Sequence, residues 1–85
     1  MKVWIPSALQ SYTQSSRVEA TGSTLDEVLH DLGRQYPGIR FRIIDEQEQV
    51  RRHMRIFVSG VSVDDLAEPI RPGDEVVIIQ ALSGG

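Results

Sequence analysis

Few residues in this sequence have the types and spacing that chemistry requires. There is no cysteine, so the chain offers neither a thiol nucleophile nor a thiolate metal site. His30 and His53 have no companions at metal-ligand spacing and read as surface or boundary residues. Asp45-Glu46-Gln47-Glu48 lacks the glycine and distal glutamate of a calcium loop. With no Ser/His/Asp pattern and no phosphate-binding glycine motif, no catalytic machinery is visible and no metal is expected. What remains is the end of the sequence. The β-branched run Val76-Val77-Ile78-Ile79 is followed almost at once by Ala81-Leu82-Ser83-Gly84-Gly85. Taken alone, two glycines there are no more than a soft chain end.

The 85 residues suit one small domain, residues 1–85, with a tail at 82–85. Apolar residues make up 40% and charged residues 25%, an ordinary globular balance. The formal charge of -3, from 12 acidic against 9 basic residues, argues against general nucleic-acid binding, which depends on neutralising phosphates. No secretory signal or membrane span is evident, so a cytoplasmic protein without a membrane partner is expected. Arginine supplies every basic residue except Lys2, the only side-chain amine.

Residues 2–6 alternate as a half-buried strand, with Val3 and Ile5 on one face and Lys2, Trp4 and Pro6 on the other. Residues 7–16, rich in Ser, Gln and Thr, read as a turn into a second strand at 17–20. Thr24-Leu25-Asp26-Glu27 has the capping-box spacing. Leu25, Val28, Leu29, Leu32 and Tyr36 then form one apolar stripe on a helix that Tyr36-Pro37-Gly38 ends. Gly33 weakens that helix by about 1 kcal/mol relative to Ala, unless another element packs closely on it. Residues 39–44 fit either a strand or a short helical turn, and 45–49 a charged loop. Residues 54–59 alternate again, Gly60 turns the chain into a short strand at 61–63, and 64–68 is a polar connection. Arg71-Pro72-Gly73-Asp74 is a tight turn launching a last strand at 75–81. One helix and one sheet in this order favour an α+β domain.

These residues resemble the β-grasp, ubiquitin-like sulfur carriers, which include the small subunit of molybdopterin synthase, the thiamine-pathway carrier and related proteins serving cysteine or thio-metabolite synthesis. The likeness rests on the first strand, the Thr24-Leu25-x-Glu27-Val28 helix opening and the Tyr36-Pro37-Gly38 exit. Arg55-Ile56-Phe57-Val58 with its Gly60 turn, Arg71-Pro72-Gly73-Asp74-Glu75-Val76 and Gly84-Gly85 complete it. The resemblance implies a mixed sheet of four to five strands on one main helix with a flexible Gly-Gly tail. It implies that the protein is not an enzyme but a cosubstrate. A partner adenylating enzyme, using ATP and magnesium, would form an acyl-adenylate on Gly85, and sulfur would displace AMP to leave a thiocarboxylate for a sulfur-accepting synthase. A C-terminal carboxyl ionises near a reference pKa of about 3.3–3.7, so at neutral pH it resists nucleophiles until activated. Gly84, with Ser83 and Leu82 before it, gives access to a narrow channel, since glycine has no Cβ. The small-subunit role in molybdopterin synthase and a ubiquitin-like modifier joined to protein lysines remain alternatives.

Strand parity adds a docking face. Trp4 and Phe57 fall on the side away from the helix, and Val77, Ile79 and Ala81 point outward if Val76 and Ile78 point to the core. That places an apolar patch, Phe57, Val77, Ile79 and Ala81 with Trp4 at its margin, beside the tail. Arg51-Arg52-His53-Met54-Arg55 reads as a solvated strand start or a partner-steering patch. Asp64, Asp65, Glu68, Asp74 and Glu75 read as solvated turns more readily than as an acidic rim.

Overall fold

The computed structural model describes residues 1–81. In chain order the elements are β1 (Lys2–Trp4), a 3-10 turn (Ser7–Leu9), the one-turn helix α1 (Gln10–Thr13), β2 (Arg17–Glu19) and the main helix α2 (Leu25–Gln35). The short helix α3 (Ile39–Ile43), β3 (Met54–Val58), β4 (Val61–Ser62) and β5 (Val76–Gln80) follow. The strands form one mixed sheet in the order β2-β1-β5-β3-β4. β1 runs parallel to β5 and antiparallel to β2, and β3 runs antiparallel to both β4 and β5. This is a β-grasp, with five strands around one main helix.

α2 begins where its orphan backbone donors find partners. The Thr24 hydroxyl accepts from the Glu27 N–H at 3.2 Å, and the Glu27 carboxylate accepts from the Ser23 N–H at 2.8 Å. The N–H groups of Leu25 and Asp26 donate to the carbonyls of Glu68 and Leu66, each at 2.9 Å. Residues 64–68, expected as a polar connection, therefore also cap the helix. Gly22 is wedged here, where an added Cβ would stand 2.6 Å from the Val28 nitrogen. Leu25, Val28, Leu29 and Leu32 of the expected stripe are fully buried, and Tyr36 packs partly buried at its end. They meet Val3, Val18, Ile56, Val76 and Ile78 from the sheet and Ile5 just after β1, each aliphatic side chain contributing about 1.5–3 kcal/mol by leaving water.

Two segments differ from their sequence reading. Residues 7–16 are not a simple turn. Pro6 starts a 3-10 turn that runs into α1, buries Leu9 and Thr13, and stops at Gln14 in a left-handed conformation (φ 58°). The Ile5 N–H then meets the Ser16 carbonyl at 2.8 Å, so the strands still pair across this excursion. Residues 39–44, open between strand and helix, form α3. Gly38 (φ 95°) redirects the chain, Ile39 and Ile43 are buried, and Phe41 faces outward, 56% exposed. A strand would have put all three on one face. α3 is the close neighbour that Gly33 required: a Cβ there would lie 3.1 Å from the Arg40 Cβ.

At the far end of the sheet, the Asp74 carboxylate accepts from the Ser59 hydroxyl at 2.6 Å and the Arg71 N–H at 2.8 Å. Chiefly the Ser59 hydrogen bond, then the Arg71 N–H, holds this carboxyl below the usual aspartate range. A depressed carboxyl contributes stability above the ordinary aspartate pKa and loses it as pH falls through the depressed value.

Two outcomes are expected. Thr24→Ala should cost about 1 kcal/mol, read by thermal denaturation as a midpoint lowered by about 4–8 °C. In a carboxyl-detected NMR titration, Ser59→Ala should move the Asp74 midpoint upward. The stability gap between Ser59→Ala and the parent should close as the solution is acidified.

Candidate functional site

β5 divides the sequence between two environments. Val76 and Ile78 are buried against the helix layer, whereas Val77 is half-buried and Ile79 is 43% exposed on the opposite face. Register carries the outward residues into a line. Trp4 pairs with Val77, Val77 with Phe57, and Phe57 with Ser62, so one transverse row crosses β1, β5, β3 and β4. Arg17 extends it on β2 opposite Trp4, its guanidinium 5.8 Å from the indole centroid. Trp4 thus belongs to the outer face, 36% exposed. Ile79 lies opposite Arg55 in the next outward row. Parity alone placed Trp4, Phe57, Val77 and Ile79 on one side; the pairing makes them neighbours.

The residues after this face leave from the middle of the sheet. Ala81 is half-buried, and its N–H donates to the His53 carbonyl at 2.7 Å, continuing the β3–β5 ladder one step past β5. The chain is therefore held up to residue 81 by β3, while β1 flanks β5 at Val76 and Val77. Leu82, Ser83, Gly84 and Gly85, the expected sulfur-bearing tail, lie outside the described residues. A hollow opens beside Ala81, lined by Pro6, Ala8, Arg52, His53, Ile79 and Gln80 among others. Reading residues 7–16 as a turn hid the part that the segment after β1 plays in it. Pro6, which starts that segment, was the available signal.

The remaining candidates settle into structural roles. His30 Nδ1 lies 3.0 Å from the Asp26 carbonyl on the surface of α2. Asp65 and Asp74 accept backbone N–H groups in their own turns. No group of three or more His, Cys, Asp or Glu that could hold a metal occurs among the described residues. No helix among them is long and apolar enough to cross a membrane. What the site offers is a face and an exit: an apolar row leading to Ala81, which β3 holds.

Comparison with known proteins agrees with this geometry. The model of the ThiS family matches residues 3–85. The sulfur carrier protein CysO of Mycobacterium tuberculosis (strain ATCC 25618 / H37Rv) is 36% identical over 89 residues, covering 98% of this chain and 96% of that protein. The crystal structure of the Amycolatopsis orientalis BexX/CysO complex superposes with a TM-score of 0.90 at 31% identity, covering 99% of this chain and 98% of that one. The crystal structure of Mycobacterium tuberculosis CysO does so at 0.90 and 34%, covering 95% and 98%.

The two faces of β5 predict opposite outcomes for adjacent isoleucines. Ile78→Ala should lower unfolding free energy by about 2–5 kcal/mol. Ile79→Ala should change it by no more than about 0.5 kcal/mol, both read from urea denaturation.

Proposed function

The chain belongs to the ThiS family of ubiquitin-like sulfur carriers, and from that premise we propose that the carboxylate of Gly85 is where its sulfur is loaded. The protein is a cosubstrate that carries sulfur and not a catalyst. A partner adenylating enzyme, with ATP and magnesium, joins the Gly85 carboxylate to AMP and releases pyrophosphate. A sulfur nucleophile then attacks the acyl carbon, AMP leaves, and the product is a thiocarboxylate for a sulfur-accepting synthase. Activation is required because the free carboxylate is an anion that repels nucleophiles.

The observation that carries this reading is the coupling of the outer face to the chain end. Val77 and Ile79 lie on the same strand that Ala81 extends, and Phe57 flanks Val77. An enzyme seated on Phe57, Val77 and Ile79, with Trp4 and Ala81 at the margins, fixes where residue 82 begins. Leu82, Ser83 and Gly84 then lead Gly85 into the partner's channel. Glycine suits that passage because nothing projects from its Cα. The aromatic and aliphatic composition of the row is that of a docking patch.

Intact-mass spectrometry tests the chemistry. Incubated with a candidate adenylating enzyme, ATP, magnesium and a sulfur source, the protein should gain the mass of one oxygen replaced by sulfur. A variant lacking Gly85 should not. An unchanged mass with an authenticated activating partner, and no trappable adenylate, would overturn the assignment. Phe57→Ser should raise KM for activation at least about tenfold with kcat nearly unchanged, since it removes binding common to ground and transition states.

A further inference from the structure

Next to the chain exit the charge of the molecule reverses. The chain carries a net charge of -3, yet the hollow beside Ala81 and a second one sharing Ala8, His53 and Gln80 with it are lined by Arg42, Arg51, Arg52, His53 and Arg55. No Asp or Glu lines either hollow among the described residues. The arginines come from two segments that the fold brings together: the Arg51 N–H donates to the Ile43 carbonyl at 2.9 Å, docking the approach to β3 against the end of α3.

Two of these guanidiniums are held by neutral groups and leave their charge uncompensated. Arg51 Nε donates to the Phe41 carbonyl at 2.8 Å, and its guanidinium sits 4.6 Å from the centroid of the exposed Phe41 ring. Arg55 donates to the carbonyls of Arg52 and Met54 at 2.8 and 2.9 Å. None of the four arginines lies within ion-pair distance of a carboxylate among the described residues. Arg34 and Arg40, in contrast, are paired with Asp31 and with Asp26 and Glu48. Fixing a side chain beforehand reduces the entropy lost on binding, and a planar guanidinium with spare N–H groups matches a carboxylate. Phe41 and arginine together are also a typical interface anchor pair.

We propose that Phe41, Arg42, Arg51, Arg52 and Arg55 form a second docking surface, distinct from the outer apolar row, that receives an acidic polypeptide segment bordering the partner site the chain end enters. Arg55 joins the two surfaces, since it lies opposite Ile79 on the outer face and also lines the hollow at the exit. The acidic surface of the rest of the chain disfavours a nucleic acid as the occupant, because a long polyanion would be repelled beyond this patch. The placement beside the exit rests on the carrier reading; the recognition chemistry does not.

The test has two arms. In the first, the full chain labelled with 15N is titrated with a hexaglutamate peptide, with hexalysine and inorganic phosphate as controls. Hexaglutamate should shift the amides of residues 41–42 and 51–55 and the Nε signals of Arg51 and Arg55. The shifts should fade as salt shortens the Debye length. Arg42→Glu combined with Arg52→Glu should abolish them, and the variant's otherwise unchanged spectrum would establish that it is folded. Shifts centred on Arg17, Lys2 or Arg71 would overturn the proposal, as would an equal response to phosphate alone. In the second arm, the same double variant should lower kcat/KM for sulfur loading by about 10-fold or more at low salt, through slower association. Normal loading of the variant would overturn the patch and leave the carrier assignment standing. Hexaglutamate binding by a chain whose Gly85 never acquires sulfur would do the reverse.

Discussion

The parallel pairing of β1 with β5, Val3 opposite Val76 and Trp4 opposite Val77, constrains everything else in this molecule. Parallel strands cannot be joined by a tight turn, so the chain between them must cross over a face of the sheet. That crossover supplies α2, whose stripe of Leu25, Val28, Leu29 and Leu32 covers the inner face. It also supplies β3, which closes the other side of β5. With β1 and β3 on its flanks, β5 is central, and the open edges fall to β2 and β4, short strands of three and two residues. Short edges limit unwanted strand addition, leaving the outer face as the natural place for a partner.

That face and the core are written into the same residues by alternation. Along β5 the alternate side chains of Val76 and Ile78 hold the fold together, and Val77 and Ile79 are free to be chosen for recognition. The same holds for β3, where Met54, Ile56 and Val58 are buried while Arg55 and Phe57 face the other way. Such a design needs no cavity. A carrier whose chemistry is supplied by other proteins needs to be recognisable and to present one end of its chain in a fixed place.

Legibility in the sequence followed the strength of periodic signals. α2 and the faces of β3 and β5 were readable because their apolar spacings match only one kind of element. Residues 39–44 were ambiguous because Ile39 and Ile43, four apart, suit a helix, while Ile39, Phe41 and Ile43 alternate as in a strand. Tertiary packing against Gly33 decides between them. The capping role of residues 64–68 left no trace, since Leu66 and Glu68 act through backbone carbonyls that every residue possesses. Parity showed which side of the sheet Trp4, Phe57 and Val77 occupy. Their alignment in one row depends on register, which a single strand's sequence does not encode.

The geometry of β1 and β5 also has a mechanical consequence. Lys2 opens one strand and Gln80 closes the other, and the two strands run the same way. Tension applied between these residues pulls the strands past each other along their length. The bonds joining them are loaded together in shear and do not unzip one at a time, and β3 braces β5 from the other side. A protease or translocase that grips the chain beyond Ala81 thus loads the strand that β1 and β3 flank. Its progress is set by the rate of forced unfolding and not by equilibrium stability.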